Sequence, residues 1–80
     1  MNDRFVEFRK YKFGEAFQEE LAQYYYAKEA YQSRPDDIMK KYFMYYRYDM
    51  VYTSLKSFWV NGYISEDTFW TLVSVLKEDL

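Results

Sequence analysis

The sequence predicts an all-α fold, a three- or four-helix bundle with a long, mostly buried middle helix, and three observations carry that prediction. Apolar residues recur at steps of three and four along most of the 80 residues. One run, Phe5 to Phe13, also reads as a strand, but no second strand-like run exists to pair with it. The two Gly and the single Pro stand where helices break, end or begin. The whole chain, residues 1 to 80, reads as a single helical domain.

The first helical region is expected over about 3 to 32, with a break near Gly14, because a glycine costs ~1 kcal/mol relative to Ala inside a helix. Its apolar stripe is Phe13, Phe17, Leu21, Tyr24, Ala27 or Lys28, and Tyr31. Phe5, Tyr11 and Phe13 would also share one strand face. Residues 3 to 13 therefore stay open between helix and extended chain, with helix favoured for want of a strand partner.

The middle helix is expected over about 35 to 61. Ser33 reads as its cap, with Pro35 in the first turn and Asp36 and Asp37 facing the positive end of the helix dipole. Three apolar lines run along it. Ile38, Tyr42, Tyr45 and Tyr52 form one, Met44, Tyr48, Val51, Leu55 and Phe58 another, and Met39, Phe43, Tyr46 and Met50 fill the gap. A helix apolar nearly all round is normally enclosed by neighbours. Two flanking helices would still leave part of the third line uncovered in a monomer. Asp49 falls among tyrosines and is expected to be surrounded by rings.

Gly62 supplies the left-handed residue that ends the middle helix, and Ser65, followed by Glu66 and Asp67, caps a last helix over about 66 to 79. There Phe69, Leu72, Val73, Leu76 and Leu80 point inward. The run Gly62-Tyr63-Ile64-Ser65-Glu66-Asp67-Thr68-Phe69 resembles the turn of SHOCT-type short helical hairpins, with their glycine, isoleucine, capping serine, acidic pair and aromatic. The resemblance implies a hairpin and carries no function.

Composition narrows the chemistry. With no Cys and no His, the chain has no disulfide framework, no thiolate nucleophile, no imidazole base and no zinc ligand set of the usual kind. The adjacent carboxylates Asp36-Asp37 and Glu19-Glu20 diverge by about 100° on a helix and do not converge on a metal or a proton. No enzyme activity, no catalytic residue, no metal, no cofactor and no small-molecule substrate are expected. The charged start, Met1-Asn2-Asp3-Arg4, is unlike a signal peptide, and the longest apolar run, Tyr42 to Tyr46, is far short of the ~20 residues that span a bilayer. The expected location is cytoplasmic, the host cytoplasm if the chain is viral, with no membrane contact.

What the chain has in excess is aromatic surface. Aromatics make up 25% of residues, 11 of them Tyr, and so short a chain has too little interior for all of them. Consecutive tyrosines such as Tyr24-Tyr25-Tyr26 point about 100° apart, so some must face solvent or a partner. Tyrosine joins large apolar area to a polar tip, which suits binding surfaces. The expected protein interface comprises Tyr25, Tyr26, Met39, Phe43, Tyr46 and Met50, with Trp59, Tyr63 and Trp70 as an aromatic cluster at the Gly62 end. The partner is another protein or a second copy, a homodimer being favoured. The setting that suits this composition is a small accessory protein of a virus or mobile element that modulates or inhibits a host complex.

Charge supports a second reading. The sign alternates by segment: four basic against two acidic groups in residues 1 to 13, one against four in 14 to 32, five against three in 33 to 61, and one against four in 62 to 80. Neighbouring antiparallel helices would then carry opposite sign. Basic groups interleaved with rings, Arg4, Arg9, Lys10, Lys12, Lys40, Lys41 and Arg47, also suit nucleic-acid backbone contact and base stacking. Against this stand the net charge of minus 2 and the pI of about 5.0, because nucleic-acid-binding domains usually run basic.

Overall fold

The computed structural model describes residues 14–78. Three helices follow one another: α1 (Gly14–Ser33), α2 (Ile38–Val60) and α3 (Glu66–Leu76). No strand occurs among the described residues. The expected helical portion over residues 3 to 13 lies outside them.

α1 and α2 form an antiparallel hairpin, as their paired side chains show. Phe17 meets Phe58 edge to face with ring centroids 5.1 Å apart, the Ser54 hydroxyl donates to the Glu20 carboxylate at 2.6 Å, and Tyr24 lies 6.0 Å from Tyr48. The partner's number falls as the residue number rises.

The link between them differs from the sequence reading. α1 runs to Ser33, so Ser33 ends one helix instead of capping the next. Pro35 sits in the turn, and the cap is Asp37, whose carboxylate accepts from the Met39 and Lys40 backbone N–H groups at 3.1 and 3.3 Å. Asp37 holds the extended conformation, φ −84 and ψ 104, that lets a side chain reach back over the first turn. α2 therefore begins at Ile38, later than expected.

At the other end the sequence signals hold. Gly62 has φ +83, and the backbone N–H groups of Gly62 and Tyr63 donate to the Trp59 and Phe58 carbonyls at 3.0 and 2.9 Å. The Ser65 hydroxyl accepts from the Thr68 N–H at 3.1 Å and starts α3. α3 stops at Leu76, before the expected 79.

The core joins one stripe from each helix: Phe17, Leu21 and Tyr24 from α1, Met44, Val51, Leu55 and Phe58 from α2, and Phe69, Leu72, Val73, Val75 and Leu76 from α3. The expectation of a mostly buried middle helix is corrected here. α2 buries only Met44, Val51, Leu55 and Phe58 of its 23 residues. The reason is geometric: both neighbours sit on one side of it, and the short α3 packs its rings on the C-terminal half, where Phe69 meets Tyr52 at 5.5 Å and Trp59 at 5.1 Å. The first half of α2 packs against α1 and leaves its remaining face bare. Asp49 is likewise exposed, not enclosed by rings.

Candidate protein interface

The bare side of α2 is apolar. Met39, Phe43 and Tyr46 recur at four- and three-residue steps and are 74%, 49% and 58% exposed. Ile38, Tyr42 and Tyr45, expected to line the core, are exposed beside them. From α1, Tyr26 projects next to this row and is 75% exposed, because it follows the buried Tyr24 by about 200° of helix turn. A monomeric protein rarely leaves so many large apolar side chains together in water unless they bind something.

Between the helices the surface is grooved. One depression of about 360 Å³ is lined by Tyr26, Ala27, Ala30, Asp37, Met39, Lys40 and Phe43. A second, of about 490 Å³, is lined by Glu19, Ala22, Gln23, Tyr26, Phe43 and Arg47. Tyr26 and Phe43 belong to both, so the two form one groove along the hairpin. The α1 wall sets Tyr26 among three alanines, and the α2 wall is built of long or bulky side chains.

Arg47 is placed by rings. Its guanidinium lies 5.1 Å from the Phe43 ring centre and 5.6 Å from that of Tyr46, and one terminal nitrogen donates to the Met50 sulfur at 3.6 Å. Its Nε is buried without a hydrogen-bond partner. Met50 is half-buried beneath it.

Of the remaining residues expected at an interface, Tyr25 is half-buried, and burial, with the Glu78 charge second, pushes its phenol pKa up. Trp59 and Trp70 gather around Phe69 at the Gly62 end: Trp59 lies 5.1 Å and Trp70 4.9 Å from its ring. Trp70 and Tyr63 are half-exposed there, and Trp59 is more covered. This cluster stands apart from the groove, so the expected interface residues divide into two places.

The basic residues are dispersed. Arg4, Arg9, Lys10 and Lys12 lie outside the described residues. Lys40 and Arg47 line opposite ends of the groove, and Lys41 is exposed about 100° round the helix from Lys40. Among the described residues no group of three or more Asp or Glu is arranged to hold a metal. No helix among them is long and apolar enough to cross a membrane.

The alanines that stand beside the expected Tyr26 on the α1 wall are not legible as interface residues in the sequence. Ala22, Tyr26 and Ala30 repeat at four-residue spacing just off the core stripe of α1. That spacing was the available signal, but alanine alone says nothing about burial or binding. No family model matches the chain, and no curated protein and no solved structure matches it.

Proposed function

We propose that the protein is a non-catalytic protein-binding module that engages its partner through the aromatic face of α2 and the adjoining groove with α1. One observation carries the reading: Met39, Phe43 and Tyr46, with Tyr26 beside them, form a continuous exposed apolar row that the packing of the three helices does not use. Tyrosine, phenylalanine and a ring-stacked arginine are the residue types that dominate the energetics of protein interfaces. The setting carried with this reading is an accessory protein of a virus or mobile element acting on a host protein in the cytoplasm.

Nucleic-acid binding is the alternative class. Lys40 and Arg47 flank exposed rings, but the acidic groups Glu19 and Asp37 share the groove with them, which disfavours a polyphosphate backbone. A photo-cross-linking amino acid at Tyr46, introduced in cells that make the chain, separates the classes. A protease-sensitive adduct supports the protein reading. A nuclease-sensitive adduct, or none, overturns it.

A further inference from the structure

Resting on that protein-binding reading, we infer that the occupant of the groove is a second copy of this chain, packed with the two-fold axis parallel to the helices so that α2 of each copy lies in the groove beside α1 of the other.

The groove has an apolar wall on each helix. Its α1 wall carries the exposed Tyr26 among Ala22, Ala27 and Ala30, and its α2 wall offers Met39 and Phe43. A symmetric interface places the same patch on both subunits. With the axis along the groove, each copy's α2 faces the partner's α1 at the same height, so Met39 and Phe43 are set against the partner's wall of Tyr26 and alanines. The result is a four-helix layer in which every apolar row of the groove is covered.

Charge selects this arrangement over the other symmetric one. The acidic group Glu19 stands on α1 and the cation Arg47 on α2, both lining the same depression. Neither Glu19 nor Arg47 has an ion-pair partner among the described residues. Along the parallel axis, Arg47 stands across from the partner's Glu19 and Glu19 from the partner's Arg47, giving two ion pairs. A perpendicular axis would lay α2 antiparallel on α2 and bring Lys40 against the partner's Arg47, two like charges at close range. Lys40 and Arg47 lie at opposite ends of the groove, with Phe43 between them.

Sedimentation equilibrium of the purified full chain, with the single variants Glu19→Arg and Arg47→Glu and the double variant, tests this. The wild type should sediment as a species of twice 10.0 kDa. Each single reversal should weaken dimerisation about tenfold or more, and the double reversal should recover most of it, because the pairs re-form with sign exchanged. Far-ultraviolet circular dichroism checks that each variant keeps its helices. A wild type that remains at 10.0 kDa at all concentrations overturns the inference, whatever else covers the face. So does a dimer indifferent to the single reversals, or one that the double reversal does not recover. A monomeric wild type that still gives a protein adduct from Tyr46 removes the second copy and leaves the protein-binding reading standing. A monomer without an adduct removes both.

Discussion

The hydroxyl of Tyr24 donates to the backbone carbonyl of Leu76 at 2.5 Å, tying the middle of α1 to the end of α3 across 52 residues of sequence. Lys28, one turn further along α1, reaches the same carbonyl at 3.5 Å and also donates to the Glu78 carbonyl. The last carbonyls of a helix lack intrahelical donors and carry the negative end of its dipole, so a buried hydroxyl and an ammonium there satisfy both needs. This explains how Lys28 can be buried: its charge sits against carbonyl oxygens, with the Tyr24 and Tyr25 rings 5.9 and 5.8 Å away.

Because two donors share the Leu76 carbonyl, their losses should not add. Tyr24→Phe and Lys28→Met are each expected to cost about 1 kcal/mol, the net worth of a hydrogen bond with its acceptor still served. The double variant should cost more than the sum, since that buried carbonyl then has no side-chain donor. Thermal melts of the four chains check this, at ~4–8 °C per kcal/mol for a domain of this size.

High pH should unfold the protein through its tyrosines. Burial raises the phenol pKa of Tyr24, reinforced by Tyr25 and Tyr48; burial also raises Tyr25 and Tyr48 above the ordinary 10.0. For an acid whose folded pKa is raised, the unfolded chain releases its proton first. Stability is therefore full below the unfolded value near 10 and falls as pH climbs above it. Denaturant midpoints should be flat up to about pH 9 and drop by about pH 11, with the phenolate absorbance of these three groups appearing late. A midpoint unchanged over that interval contradicts the burial described.

Gly62→Ala isolates backbone strain. A Cβ at this position would meet nothing within 4 Å, while φ is +83. The expected loss is about 1 kcal/mol, from the left-handed conformation alone. Chemical denaturation should show a lower midpoint with an unchanged slope, because no buried surface is altered.

Core and face should respond differently to truncation. Leu55 is fully buried, so Leu55→Ala is expected to cost about 2–5 kcal/mol. Phe43→Ser, at a half-exposed ring of the face, should stay within about 0.5 kcal/mol of wild type when measured at concentrations too low for association.

The sequence made the helices legible where a local chemical signal exists. Ser65 and Gly62 marked the second turn because each acts through its own side chain or backbone. The first turn was misplaced because Ser33 and Asp37 are both good caps, and the choice depends on how far α1 extends, which is set by packing. The core stripes of α1 and α3 were visible because each has one apolar face. On α2 three apolar lines compete, and nothing local says which face meets α1 and α3. Met44, Val51, Leu55 and Phe58 won, while Tyr42 and Tyr45 stayed in water. The aromatic surplus pointed to an exposed binding surface, yet its separation into a groove at Phe43 and a cluster around Phe69 required the tertiary arrangement.

The central claim is that binding is localised to the groove face, and a positional scan of photo-cross-linking in the producing cells tests it most directly. The cross-linker is placed in turn at Phe43 on the face, at Trp70 on the Gly62-end cluster, and at Lys56, exposed elsewhere on α2. A strong protein adduct is expected from Phe43, and weak or no adduct from Trp70 and Lys56. Equal adducts from all three positions, or an adduct from Trp70 alone, would contradict it.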